Sequence, residues 1–163
     1  MEFKNNSIAN ALGNDSTMFV AWDEKYSLKI KPIDNQHKEL IKLTNELHKA
    51  CLSRNEEVKT AFKDAMSRMV EYVHFHFGRE QELLQRINYP DYPNHKRQHE
   101  ALVKDILIAA KDYNEGKKLV PNQFVRTLKD WIYSHIAVYD KLYASFIDDQ
   151  IKKGLLSVEQ IYL

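Results

Sequence analysis

Four side chains of metal-ligand type fall in two pairs at helical spacing, His76 with Glu80 and His95 with His99. Residues four apart share one face of a helix, so each pair can turn two donor atoms toward one ion. Between the pairs, Asn88-Tyr89-Pro90-Asp91-Tyr92-Pro93 carries enough turn chemistry to reverse the chain and set two helices side by side.

A His/Glu pair on a helix usually faces solvent, and here the phase argues otherwise. Extending the first pair in both directions gives Phe62, Met66, Met69, Val73, His76, Glu80, Leu83 and Ile87, in alternating steps of four and three. The second continues as Leu102, Ile106, Ala109 and Tyr113. Histidines and a carboxylate thus occupy core positions of amphipathic helices, where an unpaired charge costs several kcal/mol. A bound metal compensates them best.

The elements that must position these residues are helical. Four glycines and four prolines in 163 residues, with long stretches of 3.6-residue period, predict an all-α chain. A first helix is expected after Asp34 as N-cap, with the inner stripe His37, Leu40, Thr44, Leu47 and Cys51. The second spans about 56–87 and the third runs from Pro93 or Asn94 to about Glu115, ending near Gly116. Pro121 opens the fourth, with the stripe Phe124, Leu128, Trp131, His135, Val138 and Leu142. Short links make this an antiparallel up-and-down four-helix bundle. An aromatic arm with Phe19, Trp22 and Tyr26 precedes it, and a short C-terminal helix, SVEQIYL, closes it with a capping-box pattern at Ser157 and Gln160. Residues 1–17, rich in Asn, Ser and small side chains, read as a mobile lead-in or an expression remnant, and 18–163 as one domain.

Every long helix therefore brings at least one histidine to the core. Asp140 is harder to place. It follows His135 by five residues, about 140° round an ideal helix, whereas Tyr139 at i+4 lies nearer the same face. Asp140 does fall on the shoulder Ile132, Ile136, Asp140, Tyr143, and spacing alone leaves both residues open.

Composition excludes several function classes. A formal net charge of +1 gives no basic surface to track nucleic-acid phosphates, and no apolar run is long enough to span a membrane. No secretory signal opens the chain, and the lone Cys51 suits a reduced buried thiol, so the expected location is cytoplasmic.

Taken together, IDNQH around His37, HFGRE with His76 and Glu80, YPNHKRQH with His95 and His99, and WIYSHIAVYD with His135 and Asp140 resemble the hemerythrins, specifically the bacterial hemerythrin-like domains, over about 19–146. The resemblance implies a non-haem di-iron centre. His95, His99 and His135 would hold one iron and His37 and His76 the other. Glu80 and Asp140 would bridge both, with a solvent-derived oxo or hydroxo group between the two iron ions. Five nitrogens, two bridging carboxylates and one bridging oxygen then leave one position open on a pair of six-coordinate ions, on the two-histidine side. The same resemblance places Ile132 and Trp131 against the dioxygen pocket. Lys29, where many relatives have glycine, and Gln81, where a second glutamate is common, depart from the pattern.

The implied function is reversible dioxygen binding for storage, delivery to an oxygen-using enzyme or sensing, by a binding protein rather than an enzyme. The alternatives are a di-iron enzyme acting on peroxide, nitric oxide or ferrous iron, and a sensory module signalling to a partner. His48 and His74 are expected to be non-ligands, since His74 points to another face from His76 and His48 lies about 16 Å along its helix from His37.

Overall fold

The structure, a computed structural model, describes residues 18–52, 56–117 and 120–162. The segment 1–17, read above as a lead-in, lies outside the described residues. Four long rods make the fold: α1 (Lys31–Leu52), α2 (Glu56–Arg86), α3 (Tyr92–Asn114), and a fourth built from α4 (Val120–Ser134), a π-helical segment (His135–Asp140) and α5 (Lys141–Lys152). A short α6 (Glu159–Tyr162) follows. Helix α1 packs on α2 and α4, and α3 packs on the same two, which with the short links closes an up-and-down bundle. Among the described residues there is no strand, and no helix is long and apolar enough to cross a membrane.

Local chemistry explains where the rods end. After α2 the backbone turns left-handed at Asn88 (φ 53°), with Asn88 N–H donating to Gln85 O and Tyr89 N–H to Leu84 O. This Schellman ending satisfies carbonyls that the helix leaves open. Gly116 (φ 77°) ends α3 in the same way, where the sequence placed its stop. Pro93 sits in the first turn of α3, which begins one residue earlier than expected, at Tyr92.

Asp34 differs from its expected role. Helix α1 starts at Lys31 with Pro32 in its first turn, so Asp34 lies inside the helix and is buried. Its carboxylate accepts hydrogen bonds from Leu28 N–H and the Ser27 hydroxyl, both at 2.7 Å. It acts as a latch on the arm that precedes the helix. That arm turns left-handed at Lys29 (φ 63°), a conformation that disfavours a side chain. The glycine expected of relatives at this position has that physical reason.

The apolar core has two parts. One holds Leu40, Leu47, Phe62, Met69, Val73, Leu102, Ile106, Leu128, Ile132 and Ile136, and the other Ile33, Leu83, Leu84, Ile87, Tyr143, Ile147 and Ile161. Cys51 is half-buried rather than buried, in the last turn of α1. Burial still pushes its thiol up to about 11. The expected capping pattern before α6 is present in half: the Gln160 side chain accepts from Ser157 N–H at 2.8 Å.

Candidate metal centre

The ligand-type residues fill the layer between the two apolar clusters. On α2, His76 and Glu80 sit between Val73 of one cluster and Leu83 of the other, and on α1, His37 sits between Ile33 and Leu40. His37, His76, Glu80, His95, His99, His135 and Asp140 are each no more than 2 % exposed. So many buried polar groups require compensation at close range.

Their donor atoms converge on two adjoining spots. Ligand atoms of Glu80, His95, His99 and His135 lie within 4.8 Å of one another, and so do those of His37, His76 and Glu80. Glu80 belongs to both. Its Oε2 is 3.1 Å from both His95 Nε2 and His99 Nε2, while its Oε1 accepts a hydrogen bond from the Tyr143 hydroxyl. Asp140 also spans the pair, with Oδ1 at 3.1 Å from His135 Nε2 and Oδ2 at 3.3 Å from His37 Nε2.

How Asp140 reaches this position is the main structural surprise. Residues His135–Asp140 are wound as a π-helix, whose i→i+5 hydrogen bonds stack a residue over the one five before it. A five-residue spacing that misses on an α-helix therefore meets on this segment. The extra residue also shifts the phase of everything after it. Val138 and Leu142, expected on the inner stripe, are 52 % and 51 % exposed, whereas Asp140 and Tyr143 are 0 % exposed. Tyr139, the i+4 alternative, is only half-buried and stays outside the cluster, with its ring 5.7 Å from that of His135.

Electrostatics at the centre follow from this packing. Burial and the Glu80 charge push Asp140 up, yet His135 and His37 beside it bring it down to about 2. Burial likewise opposes ionisation of Glu80, and contacts with His95 and His99 outweigh it, holding the carboxyl well below the usual range. Both acids are therefore carboxylates at neutral pH. Burial pushes His76 down to about 3, so its imidazole is neutral and free to ligate. His99 is also shifted down by burial, while His37 and His95 are raised because Asp140 and Glu80 respectively outweigh their burial.

The donor set fits a metal pair on a direct observation. Both ring nitrogens of His37 and both oxygens of Asp140 are buried without any hydrogen-bond partner in the protein. Native proteins rarely leave such atoms uncompensated. Imidazole nitrogens and carboxylate oxygens in this number suit first-row divalent ions.

With the geometry established, comparison with known proteins decides the family. The Hemerythrin HHE cation binding domain matches residues 28–147. The chain belongs to the hemerythrin family. Relatives include bacteriohemerythrins from Stenotrophomonas maltophilia, 29% identical over 83% of this chain and 84% of that one, and from Methylococcus capsulatus, 30% identical over 68% and 82%. A third, from Clostridium acetobutylicum, is 30% identical over 77% of this chain and 98% of its own. Among solved structures, a wild-type hemerythrin superposes with a TM-score of 0.72 at 26% identity, over 78% of this chain and 96% of that one. A hemerythrin leucine-to-tyrosine variant gives 0.73 with the same coverage.

The structure thus brings together all seven residues that the resemblance to hemerythrins implied as ligands. Trp131 is half-buried and stacks on His135, centroids 4.2 Å apart, and Ile132 is 1 % exposed within the larger apolar cluster. His74 is exposed, and His48 stacks on Phe19 at 4.0 Å, so neither joins the centre. Sequence reading missed Tyr143 as a partner of Glu80, although its phase on the Asp140 shoulder was visible. It also missed Gln36, which meets His76 Nδ1, and Gln98, which meets His135 Nδ1. Neither glutamine falls on a ligand-bearing stripe, so no periodic signal marks them.

Proposed function

We propose that this hemerythrin binds dioxygen reversibly at a non-haem di-iron centre, as a dioxygen-binding protein rather than an enzyme. The observation that carries the reading is the pair of adjoining donor clusters sharing Glu80, with Asp140 reaching across both. His95, His99 and His135 would hold one iron, and His37 and His76 the other. Glu80 and Asp140 would bridge them, alongside a solvent-derived oxo or hydroxo group. A ferrous pair held there would supply the reversible electron donation by which dioxygen is bound.

What the chain contributes is orientation, charge and exclusion of water. Two carboxylates from α2 and the π segment fix the spacing of the pair, and three histidines against two make its sides unequal. The Tyr143 hydroxyl donates to one oxygen of Glu80 and is itself held well above its usual pKa by burial and by the Glu80 and Asp140 charges, so it does not ionise. It donates a hydrogen bond and withholds its proton from the site. Apolar clusters above and below, with Ile132 in one wall, keep bulk water from the open side. We assign Ile132 to that wall, whereas Trp131, stacked on His135, covers the three-histidine side of the centre. Histidine-rich ligation supports binding over oxygenation, because fewer anions favour the lower oxidation states. The chain's other expected properties, a cytoplasmic location and transfer of dioxygen to an oxygen-using enzyme or a signalling partner, belong to the same proposal.

Reversibility is the test. Anaerobically reduced, iron-loaded protein should gain a charge-transfer absorption on exposure to dioxygen and lose it when the gas is swept away, over repeated cycles. Irreversible oxidation in the first cycle, or catalytic consumption of peroxide or nitric oxide at the same centre, would assign it to an enzyme instead.

A further inference from the structure

Three of the five converging imidazoles have their outer nitrogen engaged by a glutamine. His76 Nδ1 lies 2.9 Å from Gln36 Oε1, His135 Nδ1 lies 3.1 Å from Gln98 Oε1, and His99 Nδ1 lies 3.3 Å from Gln81 Nε2. Each contact joins two elements: Gln36 of α1 reaches α2, Gln81 of α2 reaches α3, and Gln98 of α3 reaches the π segment. All three glutamines are half-buried, so their carboxamides form the shell between the sealed centre and solvent.

A histidine that turns Nε2 to a metal carries its proton on Nδ1, and the group accepting that proton sets how strongly the imidazole donates to the ion. A carboxylate there adds negative charge and favours the oxidised metal. A carboxamide fixes the same tautomer and adds none. Gln81 differs in facing His99 through its amide nitrogen, and half a turn of the planar carboxamide presents its oxygen instead. The layer already contains two buried carboxylates, Glu80 and Asp140. Further anions hydrogen-bonded to the outer imidazole nitrogens would add to the negative charge around the same pair of ions.

We propose that Gln36, Gln81 and Gln98 are positioning residues that hold His76, His99 and His135 in the Nδ1–H tautomer with neutral acceptors, and so keep the metal pair in its reduced, dioxygen-competent state. The inference rests on the di-iron reading above and concerns what tunes it.

Two measurements on the full chain test it. In iron-loaded protein, Gln36→Glu, Gln81→Glu and Gln98→Glu should each keep the wild-type metal content. Each should also shift the oxidised-to-reduced ratio at fixed potential about tenfold toward the oxidised form, which is about 59 mV for a one-electron step. In zinc-loaded protein, which needs no redox chemistry, slowly exchanging imidazole N–H resonances should be seen for His76, His99 and His135. Each should be lost from slow exchange in the matching Gln36→Met, Gln81→Met or Gln98→Met variant, and those variants give the reading wherever a Glu variant fails to fold. Oxidised-to-reduced ratios within twofold of wild type, or N–H resonances that persist in the Met variants, overturn the proposal while leaving the di-iron reading intact. A wild-type chain that takes up neither iron nor zinc overturns both.

Discussion

At the scale of single residues, the centre is defined by direction as much as by type. His74 and His76 are two residues apart on α2, yet one is exposed and the other is 1 % exposed and faces Glu80. His76→Ala is therefore expected to lose metal from the two-histidine side, whereas His74→Ala retains the wild-type metal content and changes stability by less than about 0.5 kcal/mol. Metal analysis after gel filtration checks both. Ile132 sits one turn before His135, 1 % exposed in the larger apolar cluster, where we propose that it helps to exclude water. Truncating it opens space beside the centre and should cost about 2–5 kcal/mol of stability. Ile132→Ala should still load two irons and bind dioxygen, but oxidise to the ferric form several-fold faster in air, more so at acid pH, where protons reach the open side. Absorbance decay at the wild-type rate would remove Ile132 from the wall.

At the scale of elements, α1 to α3 and the start of α4 were legible from periodicity, because one phase runs unbroken through each helix. Phe62 to Leu83 on α2, Ile87 just past its end, and His95 to Ala109 on α3 are buried as their spacing demanded. The fourth rod was only half legible. Its phase breaks where the π segment inserts a residue, and a stripe extrapolated at a fixed 3.6-residue period then names Val138 and Leu142 instead of Asp140 and Tyr143. Only the resemblance to hemerythrins brought Asp140 into the ligand set. The start of α1 was misread for a different reason: Asp34 has the side chain of an N-cap, but its hydrogen bonds go back to the arm rather than to the helix's own first turn. Asp34→Ala would leave Leu28 N–H buried without an acceptor and free the Ser27 hydroxyl. A loss of about 2–4 kcal/mol is expected, from about 1–3 for the orphaned Leu28 N–H and about 1 for the lost bond to Ser27. Denaturant unfolding measures it, and a loss below about 0.5 kcal/mol would mean the arm is held by its apolar contacts alone.

At the scale of the molecule, a polar layer divides the apolar core in two, and its stability depends on what compensates that layer. Four buried atoms, two on His37 and two on Asp140, make no hydrogen bond within the protein, although Asp140 lies beside His37 and His135. At about 1 kcal/mol each this is a deficit of about 4 kcal/mol, which for a chain of this size corresponds to about 8–16 °C in melting temperature. Metal removal by a chelator should lower the melting temperature by that order, and iron or zinc should restore it. If the two donor clusters act as one dioxygen site, iron and dioxygen must be countable together in one sample. Iron-loaded, anaerobically reduced protein, titrated with dioxygen while its iron is assayed, is predicted to hold about two irons per chain and to take up one dioxygen per two irons, all of it released under inert gas. One tightly held iron per chain, or uptake of one dioxygen per iron, would contradict a shared site bridged by Glu80 and Asp140.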